Sequence, residues 1–340
     1  MNKTAMRAVR PGSWRWLVLC LSMVWLVACG GGGDTAAPDQ TAGVGSGGTG
    51  SFSSGTITEF GSIVVNGIHF DQTAAEVKDA DGQIHPYGDL KLGMNVQLDA
   101  SSVTQEAGKQ LAKALYISYA PDLLGPIDAV GTDTLTVMGQ TVRILPFPRT
   151  RLDESWTGGL SDLKAGDVVE VYGFHDAGTD TFVATRVARP DPIKVIDHYV
   201  VRGVIQDLTA KGCRIGKQQL AYVWPSKPGL RNGRVATAHL YPFAVISGTG
   251  GAASVSWQAK GMTLNTPLVS DRDDARVEGL VTELVVGQPA QFSVNGVMVD
   301  AAGFNCTACA ALKVGDRVSV KGALVAGTIM ATGLTPLLPD

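Results

Sequence analysis

Cys306-Thr307-Ala308-Cys309 is the segment whose residue types and spacing most directly suggest chemistry. A C-x-x-C pair can be a redox motif, half of a zinc site or a local disulfide. A redox pair usually opens a helix, whereas this pair lies between a hairpin pattern and a Leu-Lys-Val-Gly turn. Zinc needs four ligands, and the sequence offers no second cysteine pair or nearby histidine. We therefore predict a disulfide between Cys306 and Cys309, with Cys213 as a free thiol; redox activity is the alternative.

The other candidate ligands are scattered along the sequence. We interpret the histidines as surface or half-buried side chains, because none pairs with another at ligand spacing: His69, His85, His175, His198 and His239. Asp271-Arg272-Asp273-Asp274 lacks the glycine and distal glutamate of a calcium loop, so it indicates a solvated linker. The glycine-rich residues 248–253 precede an alternating pattern that indicates a hairpin tip. With no catalytic motif present, we expect no catalytic residue, no metal site and no cofactor.

Residues 1–28 have the pattern of a secretory signal peptide. A basic start without acids precedes a short apolar run from Trp16 to Ala28. This run is shorter than the roughly 20 residues that span a bilayer. It ends in Leu26-Val27-Ala28-Cys29, which resembles the bacterial lipobox. The resemblance implies that Cys29 is acylated, as with palmitate, and becomes the first residue after cleavage. The alternative is an uncleaved apolar N-terminus with an incidental cysteine.

The lipobox resemblance also implies a location. Gly30, rather than aspartate, follows the cysteine, which by resemblance favours the outer membrane, on its periplasmic face or at the cell surface. Two or three acyl chains would anchor the protein stably, at about 0.8 kcal/mol per buried CH₂. The signal peptide carries four of the 28 lysines and arginines and none of the 31 acids, so the mature chain has a formal net charge of −7. This acidic balance argues against nucleic acid as a partner.

Residues 29–54 are predicted to form a flexible linker. Their composition is Gly, Ser, Thr and Ala with little else, and such a segment cannot bury a core. It contains Gly45-Ser46-Gly47-Gly48-Thr49-Gly50, formally a G-x-G-x-x-G motif. A dinucleotide loop requires a preceding strand and a following helix. Neither is indicated here, so we interpret the motif as low-complexity sequence.

The rest of the chain repeats one β-pattern four times. A glycine precedes a β-rich run at spacings of 70, 78 and 76 residues, and a period of this kind indicates internal repeats: Gly55, Gly125, Gly203 and Gly279. Asn66-Gly67 and Asn295-Gly296 lie between β-formers and predict type I′ hairpin turns. A Leu-x-x-Gly turn follows each hairpin. Residues 105–116 are rich in helix formers, but the repeat register predicts a turn at Gly108 and then a strand.

The repeats resemble the bacterial domain-of-unknown-function family 5666, which occurs in tandem in envelope proteins. The resemblance rests on Gly55 to Ile63, on Asn66-Gly67 and on the Leu-x-x-Gly-x-x-Val turns. It is good for the first, second and fourth copies, whereas the third departs from the pattern at Pro225 and Pro228. The resemblance implies a fold type and an envelope location but no activity.

The pattern predicts an all-β protein of tandem small OB-like or SH3-like β-barrels. We place a lipoprotein signal peptide at 1–28, a linker at 29–54, and β-repeats at 55–121, 122–198, 199–276 (divergent) and 277–340. A unit of about 70 residues buries only about 60% of its unfolded surface and is marginal alone. We therefore expect sequence neighbours to pack on each other in a rod or arc.

These patterns favour a lipid-anchored envelope protein that acts as a non-enzymatic binding or structural module. An envelope protein or a glycan is the expected kind of partner, besides the membrane itself, but aromatic residues make up only 6% of the chain, and sugar sites rely on stacked rings. The alternative is a periplasmic hydrolase or glycan-acting enzyme, which would need clustered carboxylates or a nucleophile–histidine pair. No sequence motif identifies such a carboxylate cluster or such a pair. The sequence alone does not indicate which residues bind a ligand.

Overall fold

The computed structural model describes residues 49–337, apart from 177, 192–195, 223–228, 248–253, 286 and 289. The predicted signal peptide, Cys29 and most of the predicted linker lie outside the described residues. The described chain is all-β, as predicted: it contains strands and short 3-10 turns but no α-helix. None of it forms a helix long and apolar enough to cross a membrane.

The strands fall into four groups, which we call barrels 1 to 4. Barrel 1 consists of β1 (Ser51–Thr56), β2 (Ile63–Val65), β3 (Ile68–Asp71), β4 (Glu76–Lys78), β5 (Ile84–His85), β6 (Asn95–Ala100), β7 (Thr104–Glu106) and β8 (Lys109–Tyr119). Barrel 2 consists of β9 (Leu123–Val130), β10 (Thr134–Val137), β11 (Gln140–Ile144), β12 (Arg151–Leu152), β13 (Val168–Asp176) and β14 (Thr181–Ala188).

The second half of the chain supplies the other two barrels. Barrel 3 consists of β15 (Tyr199–Gln206), β16 (Gly212–Ile215), β17 (Gln218–Ala221), β18 (Val235–Ser247) and β19 (Ser254–Leu264). Barrel 4 consists of β20 (Arg272–Leu284), β21 (Gln291–Val294), β22 (Val297–Asp300), β23 (Arg317–Val325) and β24 (Thr328–Pro336). The 3-10 turns among the described residues are Tyr87–Asp89, Gly159–Asp162 and Cys309–Ala311.

The barrels share one strand order. In barrel 2 the hydrogen-bonded neighbours run β9-β10-β11-β14-β13 and return to β9. Barrels 3 and 4 close in the same order through β15–β18 and β20–β23 pairing. The third strand of each barrel pairs in parallel with the last, and the other pairs within this order are antiparallel. This is the five-stranded Greek-key topology of OB-type barrels, so the predicted fold class is confirmed.

Barrel 1 departs from the other three in two ways. β1 and β2 share no ladder among the described residues, so the cycle is not closed there. Barrel 1 also contains an additional antiparallel pair, β4–β5, and β4 pairs in parallel with β8. The segment rich in helix formers is β7, a turn at Ala107-Gly108 and β8, which confirms the prediction of a turn followed by a strand.

The hairpin turns explain the glycine that marks each repeat. Asn66-Gly67 and Asn295-Gly296 have positive φ at both residues, as type I′ turns require. Each turn folds back over the first strand of its own barrel. A Cβ built on any of the four marker glycines would lie within 2.8 Å of a side chain at this turn, on Asn66, Met138, Ile215 or Asn295. The first strand therefore needs glycine because the hairpin packs directly on its backbone.

The barrels do not form the rod or arc expected from their order in the sequence. Barrels 1 and 4, the first and last, belong to one 13-stranded sheet, joined by parallel pairing of β1 with β20. Barrels 2 and 3 form one 11-stranded sheet through β9 and β15. Barrels 2 and 3 share a continuous apolar cluster, whereas barrels 1 and 4 have separate ones. The prediction of a rod or arc is wrong because it considered packing only between barrels that are adjacent in the sequence.

Parts of two predicted linkers are strands instead. β1 begins at Ser51, inside the predicted linker 29–54, because it pairs with β6 on one side and β20 on the other, and Phe52 is fully buried in the core of barrel 4. β20 begins at Arg272, inside the segment expected to be a solvated linker. Arg272 donates two hydrogen bonds to Asp99, at 2.6 and 2.7 Å, which holds this segment against barrel 1.

Candidate functional site

The cysteines occupy two different environments. Cys306 and Cys309 are joined as a disulfide within one turn beside the 3-10 segment Cys309–Ala311. Cys213 is free and fully buried in the core shared by barrels 2 and 3, with its sulphur 4.0 Å from that of Met262. Burial raises the pKa of the Cys213 thiol to about 11. Such a thiol is a packing group rather than a nucleophile.

A cleft of about 460 Å³ opens where barrels 1, 2 and 3 meet, and we call it the acidic cleft. Its described lining carries eight carboxylates and three lysine or arginine side chains, a formal excess of five negative charges. The carboxylates come from barrel 1, from barrel 2 and from the segment between β14 and β15: Asp79, Asp81, Asp89, Asp153, Glu154, Glu170, Asp191 and Asp197. Sequence motifs missed this group because its members are far apart in the chain.

The floor of the acidic cleft is largely apolar. Tyr172 is fully buried and, although it lies on β13 of barrel 2, it packs in the core of barrel 1. Its hydroxyl donates a 3.1 Å hydrogen bond to Glu170. Tyr119 lies on the same floor, and burial raises the pKa of both tyrosines. The cleft therefore combines an apolar base with anionic walls.

Short polar contacts fix the walls of the cleft. His85 lies between two carboxylates, with Nε2 2.8 Å from Asp79 and Nδ1 3.1 Å from Asp89. The buried Arg186 guanidinium donates two hydrogen bonds to Glu154, at 3.0 and 2.9 Å. These contacts position the side chains before any ligand enters.

Three carboxylates of the cleft are held in their charged form. Hydrogen bonding from Arg186 lowers the pKa of Glu154. The pKa of Asp197 is lowered by Lys260 and then by His198. Burial raises the pKa of Asp153, but hydrogen bonds from Ser155 and from the backbone of Arg189 outweigh it, and the net shift is downward. At neutral pH Asp153, Glu154 and Asp197 therefore stay anionic.

Two histidines that are distant in the sequence meet at the rim of this cleft. The rings of His198 and His239 have centroids 5.0 Å apart, and Asp81 from the β4–β5 turn approaches them. His198 is buried, as is His175 elsewhere, so the prediction of surface or half-buried histidines is wrong for these two. Sequence spacing could not reveal the cluster, because its members lie on barrel 1, before β15 and on β18.

The model of one protein family matches two parts of the chain. The family is described as Domain of unknown function (DUF5666), and the matched residues are 125–188 and 278–334. Barrels 2 and 4 match the DUF5666 family. The predicted resemblance is thus confirmed for the second and fourth copies, and the matched segments leave out barrel 1 with its additional β4–β5 pair. No curated protein and no solved structure matches the chain.

A second cleft, of about 520 Å³, lies between the two DUF5666 barrels, and we call it the mixed cleft. Its charged lining residues are balanced among the described residues, with Arg143 and Arg317 against Asp176 and Asp316. Arg317 donates a 2.8 Å hydrogen bond to Glu278 and lies over the ring of Phe174. Much of the remaining lining is small and apolar, next to the disulfide turn.

Proposed function

We propose that this protein is a lipid-anchored envelope protein whose four barrels form a non-enzymatic binding module for a cationic small molecule. The proposal rests on one observation: the acidic cleft has a formal excess of five negative charges over an apolar floor. The lipobox resemblance at Cys29 supports the anchor at the outer membrane. No step of the proposal requires a cofactor.

The size and charge of the cleft define the ligand class. Its volume of about 460 Å³ falls within the roughly 300–1,000 Å³ of small-molecule sites. Charge interactions strengthen as water is excluded, from about 1 kcal/mol at 4 Å in bulk water to about 4 kcal/mol near a protein surface. A polyamine-like ligand, with several ammonium groups on an apolar chain, matches both the anionic walls and the apolar floor.

The alternative, a hydrolase or glycan-acting enzyme, gains one supporting observation, because the fold gathers carboxylates in one cleft. Glycan hydrolysis requires one carboxylic acid whose pKa is raised so that it can donate a proton. In three carboxylates of the cleft, Asp153, Glu154 and Asp197, the pKa is instead shifted downward. Carboxylates held in the charged form suit cation binding better than proton donation.

Thermal unfolding of the full chain tests the ligand class. We expect spermidine to raise Tm, because a ligand that binds the folded state stabilises it, and citrate to leave Tm unchanged. Glu170→Gln should reduce the spermidine-induced rise in Tm, because it removes one negative charge from the cleft. The amide oxygen of the substituted residue can still accept the hydrogen bond from the hydroxyl of Tyr172. Glu106→Gln removes an exposed carboxylate on β7, outside the cleft, and should retain the full shift. Equal shifts in both variants would contradict the proposal.

The anchor requires a separate test at Cys29, which lies outside the described residues. Cys29→Ser removes the thiol that would form the thioether to lipid. Cells fed a fatty-acid analogue should label the unchanged protein and leave the variant unlabelled and absent from the outer-membrane fraction. Normal labelling of the Cys29→Ser protein would refute lipid attachment at this residue.

A further inference from the structure

We propose that Asp81, His198 and His239 form a binding site for one divalent transition-metal ion, such as Zn²⁺, at the rim of the acidic cleft. The proposal goes beyond cation binding in the cleft, because His239 does not line the cleft. The metal site would join barrel 1, which carries Asp81, to barrel 3, which carries His239 on β18.

The positions of the donor atoms fit an ion between them. One donor atom of each residue lies within 4.8 Å of the other two. His198 Nε2 and an oxygen of Asp81 are 3.7 Å apart, too far for a hydrogen bond. Two ligands about 2.1 Å from a tetrahedral Zn²⁺ lie roughly 3.4 Å from each other. Asp81 is exposed on a turn, so rotation of its side chain can close the remaining gap.

The orientation of the His198 ring favours metal binding. Its Nδ1 lies 2.6 Å from Asp197 Oδ1, so a proton on Nδ1 leaves the lone pair of Nε2 directed toward Asp81. A carboxylate that orients the far nitrogen of a ligating histidine is a common second contact in metal sites. Asp197 also accepts a 2.9 Å hydrogen bond from Lys260, which fixes its own position.

The ring of His239 is available as the third ligand. It is half-buried against His198, and no hydrogen bond engages its nitrogens within the described part of the chain. An imidazole held in place without a hydrogen-bonding partner is a preorganised donor.

The donor set selects the metal class. Two imidazoles and one carboxylate suit Zn²⁺ and neighbouring first-row ions. Ca²⁺ and Mg²⁺ prefer sites made of oxygen atoms alone, so they should bind this site poorly. Three protein ligands leave a fourth position for water or for a group of a ligand in the adjacent cleft.

Calorimetric titration of the full chain with Zn²⁺ tests the site, using protein purified without a histidine tag and stripped with a chelator. We expect one ion per chain. His239→Ala and Asp81→Asn should each weaken binding at least 100-fold, and Asp197→Asn should weaken it about 10- to 100-fold. His69→Ala is the matched control, because His69 contacts Ser62 on barrel 1, away from the site, and it should bind as the unchanged protein does.

Two further readouts separate metal loss from unfolding and from failure of the proposed function. The Asp81→Asn protein keeps its turn and should show an unchanged circular dichroism spectrum. The His239→Ala protein should retain its spermidine-induced shift of Tm, so the two proposals can fail independently. Zn²⁺ binding of equal affinity in the unchanged protein and in both ligand variants would overturn the site. Absence of stoichiometric binding by the folded unchanged protein at 100-micromolar Zn²⁺, a level far above that needed by a site of about micromolar affinity, would also overturn it.

Discussion

The acidic and mixed clefts have similar volumes, about 460 and 520 Å³, but the first has a formal excess of negative charge and the second is formally neutral. The mixed cleft lies between the two DUF5666 barrels and its charges cancel. The acidic cleft draws five of its eight carboxylates from outside the matched segments: Asp79, Asp81, Asp89, Asp191 and Asp197. The matched barrels therefore supply a scaffold, while residues 79–89 of barrel 1 and the segment before β15 supply most of the negative charge.

The largest expected effect comes from removing the shared floor of the acidic cleft. Tyr172→Ala deletes a fully buried ring that joins barrel 2 to the core of barrel 1. Loss of a buried aromatic side chain costs about 3–5 kcal/mol, and spermidine binding should disappear with it. Urea unfolding measures the decrease in the free energy of unfolding. Tyr172→Phe keeps the ring and should cost about 1 kcal/mol. A loss below about 1 kcal/mol for Tyr172→Ala would show that this contact does not hold the cleft.

Removal of the disulfide perturbs the region next to the mixed cleft and leaves the residues of the acidic cleft in place. The Cys306–Cys309 bond closes a very short loop, so the chain-entropy model predicts a contribution of at most about 2 kcal/mol. Replacing both cysteines by serine should lower Tm by a few degrees and leave the spermidine shift intact. Alkylation of the native, unreduced protein followed by mass spectrometry should find Cys213 unmodified. A linkage from Cys213 to Cys306 or Cys309 would contradict the predicted pairing.

A smaller effect concerns pH and the wall of the acidic cleft. Arg186 lowers the pKa of Glu154 in the folded state, so this pair stabilises the protein above the unfolded pKa of about 4.3. Its contribution is lost as the pH falls through the lower, folded pKa. The side chain of Glu154 is 72% exposed, so solvent screening limits the effect to about 1 kcal/mol or less. Glu154→Gln should flatten the acid limb of Tm against pH, whereas Glu106→Gln should not. Parallel acid limbs for Glu154→Gln and the unchanged protein would contradict the assignment.

Local signals predicted the barrels well. Asn66-Gly67 and Asn295-Gly296 indicated their turns because positive φ is a local requirement, and each marker glycine reflects contact with its own hairpin. The start of the first strand was missed, since pairing with β6 and β20 and burial of Phe52 select it, and none of these is visible in the local sequence. The acidic cleft and the His198–His239 contact were missed because they form between barrels, and spacing within a repeat carries no information about packing between repeats.

Hydrogen exchange with and without spermidine tests most directly the claim that the acidic cleft, rather than the mixed cleft, binds a cationic ligand. A bound ligand suppresses local opening of the backbone that it contacts. We predict increased protection in residues 79–94 and 119–124, which line the acidic cleft, and unchanged exchange in residues 308–317 of the mixed cleft. Protection confined to residues 308–317, or no change in residues 79–94 and 119–124 at saturating spermidine, would contradict the claim.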